Sequence, residues 1–324
     1  MNAGHDRRRT ALLAWANAAL GCEPDWVPAS ADASFRRYFR GVRGQHSWIA
    51  MDAPPEREDN AAFVRVAELH EHAGLNVPRV LARDMARGFL LLTDLGHKTY
   101  LDVLNDDNAD ALFDAAMDAL IGWQRSSRSG VLPVYDRDLL ATELALFSDW
   151  YLARHLNYTP GASEAGRLAA AFNFLLDHAL AQPRVFVHRD FMPRNLMLSE
   201  PLPGIIDFQD ARYGPVTYDI ASLFKDAFIS WPAPRVAAWL HAYWQHACAA
   251  GVPVPADFNT FMRDTELMGA QRHIKVLGIF ARIAYRDGKP HYLQDAPRFV
   301  RYLQPVVAKY PQLSPLAPLL ELQP

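Results

Sequence analysis

The sequence predicts an α+β chain: a strand-rich first part over residues 1–93, then a larger, mostly helical part over 94–324. Three observations carry this prediction. The first third holds short runs of strand composition at 35–42 and 47–52, with Gly44 at a hairpin turn, and the continuous apolar run Phe89-Leu90-Leu91-Leu92-Thr93. From about 108 onward the apolar residues recur at helical spacing, over 108–127, 137–156, 162–181 and 264–286. Three brief strand-like runs, at 185–188, 196–198 and 205–207, interrupt those helices.

In chain order, residues 10–20 read as an amphipathic helix closed by Gly21. After the predicted hairpin, a helix over 58–73 puts Phe63, Val66, Ala67 and Leu69 at helical spacing, and Gly74 ends it. In 264–286, Leu267, Ala270, Ile274, Leu277, Ala281 and Ala284 form a core face. A second stripe carries Gln271, Lys275, Gly278, Arg282 and Arg286. The chain trails into a proline-rich segment after Tyr310, and contains no internal repeat or low-complexity linker.

Composition removes several function classes. The 33 basic and 36 acidic residues leave a formal net charge of −3, which gives no global reason to bind nucleic acid or an anionic membrane. No apolar run approaches the roughly 20 residues that span a bilayer. The two cysteines, Cys22 and Cys248, are far apart, which excludes a disulfide framework and a zinc-finger site. A reduced, cytoplasmic, monomeric enzyme is expected.

The chemistry concentrates in 185–210, VFVHRDFMPRNLMLSEPLPGIIDFQD. His188, Asp190 and Asn195 stand in the order H-x-D-x-x-x-x-N between two apolar strands, and Asp207 closes a third apolar run twelve residues after Asn195. Phosphoryl transfer needs positioning and charge neutralisation more than covalent help. In such a site Asp190 is the catalytic base that takes the proton of the acceptor hydroxyl. Asn195 and Asp207 supply the hard oxygens that suit Mg²⁺ bound to ATP phosphates. A metal hydrolase built on His188 and Asp190 would need further ligands nearby, and 185–215 holds no second histidine.

With these motifs the chain resembles the aminoglycoside phosphotransferase and choline kinase-like family over its whole length. The resemblance implies the two-lobed protein-kinase-like fold, with a hinge near 94–97 and Mg·ATP between the lobes. It also makes Asp207-Phe208-Gln209 the counterpart of a D-F-G motif, and gives His188 and Asp219 structural roles around the catalytic loop. A protein kinase is disfavoured, because Met192 stands where those enzymes carry a lysine and only eleven residues separate Asp207 from Asp219. The stretches Ala33-Ser34-Phe35-Arg36-Arg37-Tyr38-Phe39-Arg40, Met51-Asp52-Ala53-Pro54-Pro55-Glu56, Leu92-Thr93-Asp94-Leu95-Gly96, and Arg272-His273-Ile274-Lys275-Val276-Leu277-Gly278 narrow the resemblance. They are similar to the kinases that phosphorylate the anomeric hydroxyl of N-acetylmuramate and N-acetylglucosamine in peptidoglycan recycling. A small-molecule amino-sugar acceptor is therefore expected. The alternatives are another hydroxyl acceptor (an aminoglycoside, choline, homoserine or another sugar) and a nucleotide-binding regulatory module without turnover, against which the intact Asp190, Asn195 and Asp207 argue.

The chain also departs from the kinase pattern. No G-x-G-x-x-G occurs in 30–41, and Ile49-Ala50-Met51-Asp52 lacks the phosphate-binding lysine. Ser34, Phe35, Arg36 and Arg37 are expected to meet the nucleotide phosphates, with Arg40 as a further source of positive charge; for Arg36, Arg37 and Arg40 a solvated basic face is the equal alternative. Backbone groups at Thr93, Asp94 and Leu95 are expected to meet the purine. Lys275, Arg282 and Arg286 are the candidate acceptor contacts, although a protein carboxylate is the more ordinary partner for such a stripe.

Overall fold

The computed structural model describes residues 3–29 and 35–322. Its elements begin with α1 (Ala3–Leu20), β1 (Asp25–Pro28), β2 (Arg37–Arg43), β3 (His46–Asp52), α2 (Asn60–His72), β4 (Val80–Asp84), β5 (Phe89–Thr93) and α3 (Tyr100–Val103). Then come α4 (Ala109–Arg125), α5 (Arg137–Leu146), a π-helix (Phe147–His155) and α6 (Ala162–Ala181). Four short strands follow: β6 (Arg184–Val187), β7 (Leu196–Met197), β8 (Gly204–Ile205) and β9 (Arg212–Pro215). The chain closes with α7 (Tyr218–Phe224), α8 (Ala233–Ala249), α9 (Phe258–Asp287), α10 (Ala296–Lys309) and α11 (Ala317–Leu320). By Cα proximity there are two compact units, Met1–Val103 with Asn195–Asp210, and Leu104–Arg194 with Ala211–Pro324. No helix among the described residues is long and apolar enough to cross a membrane.

The first unit is built on an antiparallel sheet of order β1-β2-β3-β5-β4. Gly44, at φ 61°, supplies the left-handed residue that turns β2 into β3, and the register then sets Phe39 opposite Ala50 and Arg37 opposite Asp52. Residues two apart on a strand share a face. Phe39, Ala50, Phe89 and Leu91 accordingly pack with Leu12 and Ala16 of α1 in one buried cluster. Burying a side chain such as Leu12 contributes about 2 kcal/mol. Asp52 is fully buried and is neutralised by two arginines, with Arg8 Nη2 at 2.5 Å and Arg37 Nε at 3.1 Å. The β7–β8 hairpin belongs to this unit. Asn76 Nδ2 donates to the carbonyls of Ser199 and Pro201, and the Phe208 ring lies 5.0 Å from Phe63 of α2. The strand β1 has no counterpart among the expected elements. It is four residues at the sheet edge, ending in the proline that an edge tolerates.

The second unit gathers around α9, thirty residues long and buried along most of its length. Asp257 caps its start by accepting from Thr260 N at 2.8 Å, and Gly288, at φ 69°, caps its end in the left-handed conformation. The cap places the start at Phe258, six residues before the position that apolar spacing indicates. Gly278 sits mid-helix although glycine costs about 1 kcal/mol there. A Cβ at this position would lie 2.3 Å from the Leu146 carbonyl carbon, so only glycine permits the approach of α5. The single helix expected over 137–156 is instead α5 followed by the π-helix, and the change falls at this close approach. A shift from i→i+4 to i→i+5 bonding leaves no mark on hydrophobic spacing over so short a run. Antiparallel β6 and β9, with Val187 opposite Arg212, deliver the chain to residue 188.

Candidate active site

The loop after β6 is held by its backbone. His188 N and Arg189 N donate to the two oxygens of Asp219 at 2.7 and 2.9 Å, and Asp190 N donates to His188 Nδ1 at 3.3 Å. Asp219 lies in the first turn of α7 and is buried. Burial pushes its carboxyl up to about 7, against the pull of the two amides it accepts from. Consecutive amides captured by one carboxylate require a sharp turn, and Arg189 makes it at φ 78°. For a residue with a Cβ that conformation costs about 1–2 kcal/mol, which the buried bonds around it offset. Asp190 is thereby fixed in direction and is only partly buried.

Around Arg189 lies a buried polar network in the same unit. Arg189 Nη2 donates to Glu143 Oε1 at 2.5 Å, and Lys275 Nζ reaches the same oxygen at 3.0 Å. The Tyr135 hydroxyl donates to Glu143 Oε2, and Lys275 Nζ also donates to Tyr218 Oη at 3.0 Å. Burial alone would raise Glu143, but the cations Lys275 and Arg189 outweigh it and hold the carboxyl below its ordinary value.

Asn195 and Asp207 both belong to the first unit. Asn195 ends a 3₁₀ turn, Pro193–Asn195, and its carbonyl accepts from Ile206 N at 3.1 Å. The register Leu196 opposite Ile205 brings Asn195 level with Ile206, one residue before Asp207. At φ 63°, Asp207 leaves the strand alternation that would otherwise direct its side chain. Gln209 Nε2 donates to Asp207 Oδ1 at 2.9 Å. An amide oxygen and a carboxylate on one hairpin end are a hard-oxygen donor pair of the kind Mg²⁺ takes. No group of three or more His, Cys, Asp or Glu side chains suited to a metal occurs among the described residues, so such an ion would draw its remaining oxygens from phosphate and water.

Three arginines of β2 and its approach have carboxylate partners. Arg36 meets Glu58 at 2.7 Å, Arg37 meets Asp52, and Arg40 meets Asp94 at 2.6 Å while also donating to the Gly96 carbonyl. Thr93 exchanges bonds with Arg79, its amide donating to the Arg79 carbonyl and its Oγ1 accepting from the Arg79 amide. Asp94 Oδ1 also accepts from Gly96 N at 3.0 Å, which turns the chain at Leu95. Phe35 is exposed under the Arg57 guanidinium, and Ser34 lies outside the described residues.

A profile of the APH phosphotransferase enzyme family matches residues 25–261. The chain belongs to this family. It is 58% identical to the N-acetylmuramate/N-acetylglucosamine kinase of Pseudomonas aeruginosa, over 91% of this chain and 87% of that one. It is 53% identical to the kinase of the same name from Pseudomonas putida, over 98% of each. The Neisseria meningitidis kinase of that name is 45% identical over 91% of this chain and 90% of its own. Among solved structures, a choline/ethanolamine kinase family protein from Mesorhizobium loti superposes with a TM-score of 0.65 at 15% identity, covering 99% of each chain. Choline kinase LicA from Streptococcus pneumoniae gives 0.61 at 14% identity, over 94% of this chain and all of the other. These two show the fold, the protein-kinase-like α+β fold of the APH family.

The polar stripe on α9 divides into buried and exposed members. Lys275 is buried against Glu143, and Arg286 pairs with its neighbour Asp287 at 2.7 Å. Arg282 Nε is buried without a hydrogen-bond partner, and burial together with the Arg286 charge lowers its pKa. The sequence singles out neither Glu143 nor Tyr135. Neither stands in a recognisable motif, and Glu143 is 46 residues from the arginine it holds.

Proposed function

We propose that this chain is an ATP- and Mg²⁺-dependent kinase that phosphorylates the anomeric hydroxyl of N-acetylmuramate and N-acetylglucosamine. The observation that carries the reading is its 58%, 53% and 45% identity, each over at least nine-tenths of this chain, to three kinases of that name. Asp190 accepts the proton of the acceptor hydroxyl as its oxygen bonds to the γ-phosphorus and the bond to the departing ADP oxygen breaks. Asn195 and Asp207 hold the metal, which when bound neutralises charge on the phosphate oxygens. Asp219 and His188 keep the loop in position through backbone amides. The backbone at Thr93–Leu95 carries the purine, and residues 34–37 supply the phosphate contacts in place of a glycine-rich loop.

The acceptor cations of this reading are Lys275, Arg282 and Arg286. Of the three, Arg282 has the buried and unpaired nitrogen best suited to the lactyl carboxylate of N-acetylmuramate. A polycationic aminoglycoside would meet like charge on that stripe. ADP release across a set of acceptors with Mg·ATP tests the reading. Turnover is expected with both amino sugars and not with choline, homoserine or an aminoglycoside. Turnover confined to one of the last three would reassign the acceptor, and ATP binding without turnover on any would make the chain a regulatory module.

A further inference from the structure

The turn that follows β5 is held from two strands away. Arg40 of β2 stands opposite Ile49 of β3, and Ile49 stands opposite Leu92 of β5. Phe39 packs in the cluster with α1, so strand alternation sends the Arg40 side chain to the other face of the sheet. Arg40 Nε donates to Asp94 Oδ2 at 2.6 Å and Nη2 donates to Asp94 Oδ1 at 3.0 Å, a bidentate pair. Nη2 also donates to the Gly96 carbonyl, while Gly96 N donates to Asp94 Oδ1 at 3.0 Å. One guanidinium thus closes both ends of the turn 94–96, and Gly96, at φ 89°, supplies its left-handed residue. The Asp94 side chain is only 3% exposed. The Leu95 side chain packs on Gly204, where an added Cβ would meet it at 3.0 Å. The Thr93 amide is engaged by the Arg79 carbonyl, which leaves the amides of Asp94 and Leu95 as the donors for the edge of a purine.

We infer that Arg40 is a positioning residue for the purine and not a ligand of the phosphates. The inference rests on the reading that the purine meets the backbone of residues 93–95. A chain leaving a strand has no ladder to fix its dihedrals, so consecutive donors keep one orientation only where other bonds hold them. Here the bonds among Arg40, Asp94 and Gly96 do so. A purine that docks on a turn already ordered loses less of its binding energy to ordering the chain. The same bonds make Arg40 a poor phosphate ligand. Three of its five N–H groups are engaged, and a carboxylate at 2.6 Å neutralises its charge.

The variant Arg40→Met keeps the apolar stem and removes the fork. Calorimetric affinities for adenosine, ADP and Mg·ATP separate three roles. A positioning role predicts that all three weaken by the same factor, about tenfold, because the purine is common to them. A phosphate ligand predicts adenosine binding like that of the parent and a loss that grows from ADP to ATP. An ordinary surface pair predicts a lower melting temperature, with all three affinities within about twofold of the parent. Either of the last two results overturns the inference. If Arg40→Met lacks a cooperative melt, Arg40→Lys carries the comparison, since an ammonium keeps the charge beside Asp94 without the planar fork. An equal loss for all three ligands, of about threefold or more, is again expected, and affinities like those of the parent again overturn the inference. Hydrogen exchange of the parent separates the layers. If adenosine protects the peptide spanning 93–96, the purine stays at this segment, and failure of the variants overturns only the role of Arg40. Without that protection the purine lies elsewhere, and the reading of the purine site falls together with the inference.

Discussion

Asp190→Asn will abolish measurable phosphoryl transfer while leaving the affinity for nucleotide within about threefold of the parent. A positioned general base contributes about 10² to 10⁴ in rate, and the amide has the shape of the carboxylate without its capacity to take a proton. The fold should survive, because the loop is held through main-chain amides. His188 N and Arg189 N bond to Asp219, and the Asp190 amide bonds to His188, none of which involves the Asp190 side chain. Steady-state kinetics and calorimetric nucleotide binding on the same preparation check both halves. Turnover near that of the parent would remove Asp190 from the chemistry.

Asp207→Ala will lose both turnover and the metal-dependent part of nucleotide binding. A hard cation bound by one carboxylate and one amide has no group of three or more His, Cys, Asp or Glu side chains to fall back on among the described residues. Removing the charged ligand should therefore cost about 3 kcal/mol, roughly 100-fold in affinity for Mg·ATP. Binding of ATP without Mg²⁺ should change little, and that comparison isolates the metal term. The local turn should persist, because the Asn195 carbonyl accepts from Ile206 N independently of the carboxylate. An Asp207→Ala protein that binds Mg·ATP like the parent would contradict the assignment of the metal to this hairpin.

The candidate residues stand out in the sequence because their chemistry and their spacing coincide. His188, Asp190, Asn195, Asp207 and Asp219 lie within 32 positions, among short apolar runs whose length suits buried strands. The sheet was legible for a similar reason. The apolar run at Phe89–Thr93 is the observed strand residue for residue, and the turn at Gly44 fixes the register of its neighbours. Pairing at long range was not legible. Arg36, Arg37 and Arg40 read equally well as phosphate ligands or as a solvated face, and only the folded chain brings Glu58, Asp52 and Asp94 to them. Lys275 belongs to a polar stripe that helical spacing directs away from the core. It is buried because Glu143 of α5 lies opposite, and hydrophobic periodicity carries no information about which helix faces which. The π-helix is invisible for the reason that its turn is defined by hydrogen bonds and not by composition.

The bond made to the acceptor tests the central claim most directly. An anomeric hydroxyl is more acidic than the other hydroxyls of a sugar, so its proton is the easier one for a carboxylate to take late in a loose transition state. The enzyme incubated with Mg·ATP and N-acetylglucosamine should yield a product that has lost its reducing end, is labile to acid, and shows coupling between phosphorus and H1 in the ³¹P spectrum. A product that stays reducing, with phosphorus coupled to the C6 protons, would contradict the anomeric assignment, and failure to consume either amino sugar would contradict the account as a whole.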